Sequence, residues 1–293
     1  MDLAYDYPLY RPPSESRSLI FQVTLGCSFN KCSFCDMYRT KEYSERSLDE
    51  IFKEIELMAK YFPHTRRVFL ADGDAMNLDT EKLISIIAKI KGSFQSIERI
   101  SSYSMPKNLL EKSPNELKSL KAVGLDMVYL GIESGNDKIL KKVTKGATSN
   151  MIIESCMKAK DAEFTLSCMI ILGLGGKTHT IDHARDTAKV IGSISPNYVG
   201  ALTLYMEPNI EKEFYEKFRE PFLPLEDSEV LDELYRMISD MHLKNSLIFR
   251  ANHASNVYAI GGTLPDDKKE ILQKIMHLKN HPELFKPKVL RRF

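Results

Sequence analysis

The sequence lacks an excess of charge of either sign, and it lacks any long apolar run. Its 293 residues include 41 Lys and Arg and 40 Asp and Glu, so charge gives no whole-chain reason to expect binding to nucleic acid. No stretch approaches the roughly 20 consecutive apolar residues that a membrane-spanning helix needs. The first twenty residues carry acids and prolines in place of the apolar segment of a secretory signal. We therefore expect a cytoplasmic protein that does not contact a membrane.

The cysteines are too few and too unevenly placed for a disulfide framework. The chain has five cysteines, an odd number, and three of them lie in the stretch "TLGCSFNKCSFCDMY", where they span nine residues. Cys27, Cys32 and Cys35 are separated by four residues and then by two. This clustering favours a reducing compartment and a metal or redox site. Cys156 and Cys168 lie in a helical segment and an apolar run, where cysteine commonly acts as a small buried hydrophobe.

Three clustered thiolates leave three interpretations open. A four-iron cluster usually takes four cysteines, so three would leave one iron open to a substrate or cofactor. A structural zinc site requires four ligands, and here it would have to use a distant histidine. The third interpretation is that the cysteines bind nothing. The spacing favours a cluster with an open iron over the other two interpretations.

Short apolar runs alternate with longer segments of helical periodicity as far as Pro208. Six runs predict strands, at Leu19–Thr24, Arg67–Ala71, Ile97–Tyr103, Met127–Glu133, Phe164–Gly173 and Tyr198–Tyr205. The segments between them predict helices, at Leu48–Phe62, Thr80–Lys91, Asn108–Val123, Asn150–Ala162 and Ile181–Ile194. Such alternation favours parallel strands joined by right-handed crossovers.

We predict an α/β fold, a partial (β/α)6 TIM-like barrel over residues 18–208. A lead-in at 1–17 precedes it, and a mostly helical extension at 209–293 covers the barrel. The extension has helix candidates at Ser228–Leu243 and Asp266–Lys279, around an apolar run, "LIFRANH", that could supply a seventh strand. Barrels of this kind bind ligands in the loops after the C-terminal ends of their strands. The cysteine stretch follows the first strand, so we expect it at the mouth of the barrel.

From about Leu19 to Tyr205 the sequence resembles the radical S-adenosylmethionine (radical SAM) superfamily. Within that superfamily it resembles the branch of coproporphyrinogen-oxidase-like and Elongator-like iron–sulfur oxidoreductases, through the opening "YRPPSESRSLIFQVTLGCSFNKCSFCDMY". The usual cluster motif of the superfamily is CxxxCxxC, whereas this chain has four residues in the first gap. The resemblance implies a [4Fe–4S] cluster on the three cysteines and S-adenosylmethionine on the open iron. It places Phe34, between the last two cysteines, against the adenine.

Two acidic segments match the family at strand ends. "ADGDAM" holds Asp72, Gly73 and Asp74 where the family has a turn that binds the methionyl amino group, and a carboxylate suits an ammonium there. "GIESG" ends the fourth strand, and the resemblance places Glu133 near a ribose hydroxyl or the amino group. Taken alone, the first segment is also typical of a turn or a calcium-like loop, and Glu133 of a partner in helix N-capping.

Two later segments complete the match. "MIILGLGG" resembles the stretch that contacts adenine in the family, which implicates Ile171 and Gly173. "HARDTAKVI" recurs in this branch, and Arg185 could meet the methionyl carboxylate as a charge-assisted donor. An arginine on a helix is equally often a solvated or salt-bridged surface residue.

Substrate contacts are predicted beyond the sixth strand. Tyr205 ends that strand, and the polar segment "FRANHASN" supplies Arg250, Asn252 and His253. Loops on rigid scaffolds often carry function, but such side chains also commonly satisfy the backbone of their own loop.

The implied activity is reductive cleavage of S-adenosylmethionine to a 5′-deoxyadenosyl radical, which abstracts hydrogen from a substrate. We expect a flavodoxin- or ferredoxin-like electron donor and a small-molecule or peptide substrate. Methylthiolation of transfer RNA is less favoured, because in the family it uses a second cluster and only Cys156 and Cys168 remain. The alternatives are an RNA-modifying radical SAM enzyme and a non-catalytic iron–sulfur or zinc protein.

Overall fold

The computed structural model describes residues 5–291, which form an α/β fold of ten strands and ten α-helices. Eight of the strands belong to one mostly parallel sheet, and β2 and β3 form a separate pair. The strands are β1 (Leu19–Gln22), β2 (Thr24–Leu25), β3 (Ser44–Glu45), β4 (Arg67–Ala71), β5 (Arg99–Ser104), β6 (Leu125–Glu133), β7 (Thr165–Leu172), β8 (Tyr198–Thr203), β9 (Leu247–Ala251) and β10 (Ile260–Leu264). The helices are α1 (Leu48–Tyr61), α2 (Thr80–Ser93), α3 (Pro106–Glu111), α4 (Pro114–Val123), α5 (Asp137–Lys142), α6 (Ser149–Asp161), α7 (Gly176–Ile194), α8 (Pro208–Phe218), α9 (Asp227–Asp240) and α10 (Lys268–Lys279).

The chain divides into two compact units. The first comprises the chain up to Asn30, Met37–Leu130 and Glu154–Leu166. The second comprises Lys31–Asp36, Gly131–Ile153 and the chain from Ser167 onward. The predicted boundaries at residues 17 and 208 follow the sequence texture instead, and they stay a prediction.

In the first unit the sheet is parallel throughout. β1 pairs with β4, β4 with β5 and β5 with β6, in registers that include Leu19 opposite Val68 and Tyr103 opposite Tyr129. Val68–Ala71 of β4 is fully buried, as expected for a parallel strand covered on both faces. The four strands therefore end on the same edge, where β4 leads directly into the acidic turn.

In the second unit β7 pairs with β8 and β8 with β9, all parallel. The "LIFRANH" run thus supplies the seventh strand, as the sequence suggested. An eighth strand, β10, pairs antiparallel with β9 and was not predicted. Its glycines at 261 and 262 are typical of turns, and only the pairing with β9 makes the segment a strand.

Two helix predictions were wrong in detail because of proline. The predicted helix Asn108–Val123 is two helices, α3 and α4, since the residue before Pro114 is driven out of the helical region. Ser113 instead caps α4 in a reciprocal box with Glu116, and Gly124 ends it with φ 114°, as predicted. Helix α8 was missed because Pro208 was interpreted as an end, whereas it occupies the first turn of a helix. None of the helices in residues 5–291 is long and apolar enough to cross a membrane.

Candidate cofactor-binding site

The three clustered cysteines are reduced and partly exposed. Cys27 follows β2 in the first unit, and Cys32 and Cys35 lie in the short segment that belongs to the second. Within residues 5–291, no group of three or more His, Cys, Asp and Glu side chains is gathered closely enough to hold a single metal ion. A four-iron cluster makes a different demand, because each of its cysteines binds a different iron atom.

The turn that carries Cys32 and Cys35 is anchored on the end of α5. The amide of Cys35 donates to the carbonyl of Cys32 at 3.2 Å, which closes the turn. The amide and hydroxyl of Ser33 both donate to the carbonyl of Val143, at 3.0 and 3.3 Å. Val143 is the residue that caps the C-terminal end of α5, so one helix terminus anchors the turn that carries both cysteines.

Lys145 is the charged partner of this turn, and it was missed from the sequence. Its ammonium lies 2.8 Å from Glu133 Oε1, and each side chain is only 11% exposed. Burial acts to lower the pKa of Lys145, but the negative charges of Glu133, Cys32 and Cys35 outweigh it and raise the pKa. The Lys145 ammonium is therefore close enough to Cys32 and Cys35 to interact with them electrostatically. The available signal was "KKVTKG", a lysine just past the short helix that follows a strand-end glutamate.

Glu133 ends β6 in a left-handed conformation, with φ 61°. Its carboxylate folds back over Gly131, where a Cβ would collide with Oε1 and lie 2.9 Å from the Lys145 ammonium. Asn136 caps α5, since its side chain accepts from the amide of Ile139. Glu133 therefore does not act as the helix cap, and its carboxylate instead pairs with the Lys145 ammonium.

The two aspartates of "ADGDAM" have different surroundings in the first unit. Asp72 is fully buried, and its carboxylate accepts from Gln22, from the Gly26 amide and from Lys41. Between the aspartates, Gly73 lies under an aromatic ring: a Cβ there would lie 2.5 Å from the Tyr38 ring. The close packing explains why this turn requires glycine.

Asp74 is buried but incompletely satisfied. Its Oδ2 accepts from the Ser28 hydroxyl, one residue after Cys27, while Oδ1 has no hydrogen-bond partner among residues 5–291. Burial raises the pKa of Asp74 to about 6, against the lowering effect of Ser28 and Asn108. The Asn108 amide is close enough to affect the pKa without forming a hydrogen bond of ordinary geometry. A buried oxygen without a donor fits the ammonium of an amino-acid cofactor.

Phe34 and Ile171 pack against one apolar cluster of the second unit. The cluster joins α5, the end of β7 and the C-terminal extension, through Ile139, Val143, Leu174, Phe214, Phe218 and Phe222. The rings of Phe214 and Phe222 meet edge to face at 4.9 Å, and those of Phe218 and Phe222 at 4.8 Å. Such a surface is suited to the face of an adenine. The extension therefore contributes to this part of the candidate site.

The end of β7 is held by two buried side chains that the sequence did not single out. Gly173, with φ 79°, donates its amide to Glu233 Oε1 at 2.6 Å, and Glu233 is 1% exposed. His183 Nε2 donates to the carbonyl of Ile171 at 2.9 Å, and His183 is fully buried. In "HARDTAKVI" the histidine thus faces the strand end.

Arg185 lies on the outer face of α7. Its side chain is 58% exposed and forms ion pairs with Asp182 and Asp186, both on the same helix. These neighbours, not burial, raise the pKa of the Arg185 guanidinium, beginning with the hydrogen bond to Asp186. A contact of Arg185 with the methionyl carboxylate stays a prediction.

The predicted substrate residues make mostly local contacts. Arg250 donates to the carbonyl of Phe249 on its own strand and to the carbonyl of Gly262 across the β9–β10 pair. His253 Nδ1 accepts from the amide of Ser255 at 3.2 Å, and burial lowers the pKa of His253. Asn252 is exposed and Tyr205 is half-buried after β8. Their contact with a substrate stays a prediction.

These features define an α/β protein with a cysteine loop directly after β2 and polar groups at the following strand ends. The model of the radical SAM superfamily matches residues 21–191, which is more than half of the chain. The chain belongs to that superfamily. Its members are enzymes that bind a [4Fe–4S] cluster and S-adenosylmethionine.

Individual relatives are distant. The heme chaperone HemW of Bacillus subtilis (strain 168) is 23% identical over 214 residues, which cover 72% of this chain and 54% of that protein. A tRNA-2-methylthio-N(6)-dimethylallyladenosine synthase of Methylacidiphilum infernorum (isolate V4) is 30% identical over 165 residues, which cover 52% of this chain and 34% of that protein. The chain therefore spans about half the length of the first relative and about a third of the second.

Coproporphyrinogen III oxidase (HemN) from Escherichia coli, a radical SAM enzyme, is a structural neighbour. It matches with a TM-score of 0.62 at 20% identity, over 76% of this chain and 52% of that chain. At this identity the likeness shows a shared fold. The predicted radical SAM type of α/β fold is confirmed.

Proposed function

We propose that the protein is a radical SAM enzyme in which Cys27, Cys32 and Cys35 hold a [4Fe–4S] cluster with one iron open to S-adenosylmethionine. The observation that carries the proposal is the buried ammonium of Lys145 beside Cys32 and Cys35. A neighbouring cation stabilises thiolates, the form of cysteine that binds iron. It also supplies a buried positive charge that an anionic ligand group can meet.

The cofactor is a zwitterion, so its binding requires a partner for an ammonium and a partner for a carboxylate. Asp74 in the first unit has a buried oxygen without a donor, which suits the methionyl ammonium. Lys145 in the second unit suits the methionyl carboxylate. Phe34 and Ile171 provide apolar surface for the adenine.

When bound, the cluster and S-adenosylmethionine would supply one-electron reductive cleavage of a carbon–sulfur bond, and with it the capacity to abstract a hydrogen atom from the substrate. The chain's part is to orient the cofactor and shelter it from water, as the buried Glu233 and His183 do by fixing the end of β7. The electron comes from a reduced flavodoxin- or ferredoxin-like protein. Cys156 and Cys168 are fully buried, which supports packing roles and not a second cluster. Because methylthiolation of transfer RNA uses a second cluster in the family, this supports a small-molecule or peptide substrate.

Anaerobic reconstitution with iron and sulfide, followed by dithionite and S-adenosylmethionine, tests the proposal. We expect a brown protein that releases 5′-deoxyadenosine, and the triple replacement of Cys27, Cys32 and Cys35 by Ala abolishes both colour and product. Cys156→Ala is the matched control and retains both, because that thiol is only packed. Product formation by the triple variant, or a wild-type protein that holds zinc and never cleaves the cofactor, contradicts the proposal.

A further inference from the structure

The carboxylate of Asp72 is fully used by the chain's own donors. Oδ1 accepts from Gln22 Nε2 at 2.9 Å, and Oδ2 accepts from the Gly26 amide at 3.0 Å and from Lys41 Nζ at 2.8 Å. The residue is fully buried. A carboxylate with three donors and no exposure differs from Asp74, two residues later, which keeps one oxygen without a donor.

Lys41 is an unusual partner because its charge is also buried. Its side chain is 4% exposed, and its ammonium lies 2.8 Å from Asp72 and 3.4 Å from the Asp6 carboxylate. It also donates to the backbone carbonyl of Asp6 at 2.5 Å. Burial of a lysine requires such pairing, because an ammonium without an anion in the interior is strongly disfavoured.

The two donors on Asp72 Oδ2 lie on either side of the cysteine stretch. Gly26 directly precedes Cys27, and Lys41 comes six residues after Cys35. Backbone hydrogen bonds also join the acidic turn to the first of these stems: the amides of Asp72 and Gly73 donate to the carbonyls of Thr24 and Gly26 at 3.0 and 3.1 Å. A Cβ at Gly26 would lie 3.3 Å from the Cβ of Lys41, so the two stems are in contact within the first unit. The segment thus leaves and rejoins the unit at one buried carboxylate.

We propose that Asp72 and Lys41 form a clamp that holds together the two stems of the cysteine segment, and that Asp72 is a positioning residue and not a ligand of the cofactor. The inference rests on the proposed function in that the clamped segment carries the cluster. It also accounts for how a segment with four residues in its first gap keeps a defined start and end: the stems are fixed by a charge pair and do not depend on the length between the cysteines.

The test uses the full chain and two independent measurements. Amide hydrogen exchange of residues 27–40 in the metal-free protein reports on the clamp itself. In the reconstituted protein, the rate of iron loss to a chelator and the Kd for S-adenosylmethionine report on cluster retention and cofactor binding. The variants are Lys41→Met, Asp72→Asn, the double variant and Lys41→Arg. Lys53→Met, which breaks an exposed pair with Asp49, is the control.

We expect Lys41→Met and Asp72→Asn each to accelerate exchange and iron loss by about tenfold or more, with the Kd within about threefold, where tenfold corresponds to about 1.4 kcal/mol. Lys41→Arg keeps a cation at this position and therefore retains the protection of these amides against hydrogen exchange. The double variant leaves neither member of the pair as an unpaired buried charge, so it stays folded even if a single variant does not. Its effect on exchange and iron loss is smaller than the sum of the effects of the two single variants.

Unchanged exchange in all variants overturns the clamp. So does an Asp72→Asn protein whose Kd rises about tenfold while its exchange stays at the wild-type rate, because that result makes Asp72 a cofactor ligand. If the wild-type protein acquires no cluster, the proposed function fails, and the exchange measurement still decides whether Lys41 and Asp72 hold the stems.

Discussion

Replacing Lys145 by methionine removes the buried ammonium while keeping most of the side chain's apolar volume. The change has two separable consequences, one on stability and one on cofactor binding. Glu133 loses its only ion-pair partner in the described structure, at 2.8 Å and with both side chains 11% exposed. Breaking a buried pair by removing one partner costs about 3–5 kcal/mol, and the partial exposure here favours the lower end. At about 2–4 °C per kcal/mol, the Tm falls by roughly 6–12 °C.

The effect on cofactor binding arises because the methionyl carboxylate would lose the Lys145 ammonium as its partner. A hydrogen bond to a charged group contributes about 1.5–3 kcal/mol. The Kd for S-adenosylmethionine therefore rises about 10- to 150-fold, measured by equilibrium dialysis with the anaerobically reconstituted protein. Lys145→Arg keeps the charge and retains most of the affinity.

Two further variants separate the consequences. Combining Lys145→Met with Glu133→Gln removes both charges, so stability recovers while affinity stays low. Lys142→Met, three residues earlier at the end of α5, removes a lysine that is 14% exposed and pairs with Glu220 at 3.1 Å, and it should leave the Kd unchanged. A Lys145→Met protein that binds the cofactor with wild-type affinity refutes the role assigned to this lysine.

Two predictions concern stability alone. Gly135→Ala places a Cβ against the carbonyl of Asp186 on α7, and such overpacking should lower the free energy of unfolding by about 1–3 kcal/mol in urea denaturation; an unchanged midpoint contradicts the close approach. The hydrogen bonds from Ser113, with a further one from Thr80, lower the pKa of Glu116 from 4.5 to about 2. A lowered pKa stabilises the fold at pH above 4.5, and this contribution is lost as the pH falls toward 2. The Tm difference between wild type and Glu116→Ala should therefore shrink over that range, and a constant difference contradicts the linkage.

Much of the fold was predictable because its signals are local. Alternation of apolar runs with helical periodicity depends on residues that are neighbours in sequence, and it located all six expected strands to within a few residues. The errors fall where a local pattern has two meanings. Pro208 is compatible with the end of one element or the first turn of another, and Gly261 and Gly262 with a turn or a strand.

The candidate site was predicted in part. Motif order identified the cysteine stretch, the acidic turn and the ends of β6 and β7. It gave no means to rank the residues within a motif, so Asp72 and Asp74 looked equivalent. Arg185 was chosen over His183 in α7, although the histidine is the buried one. Lys145 was missed because nothing in "KKVTKG" distinguishes it from the two other lysines of that stretch.

The sequence alone determined the class of the protein. Three cysteines at fixed spacing after a strand, and glycine-rich or acidic strand ends in order, are short-range chemical patterns that survive without knowledge of packing. Only the tertiary structure decided which charged groups are already satisfied. Asp72 receives its ammonium from a residue 31 positions away, and Glu133 pairs with one 12 positions away. The state of a carboxylate depends on burial and on the donors that folding brings to it, and neither is encoded in the few residues around it.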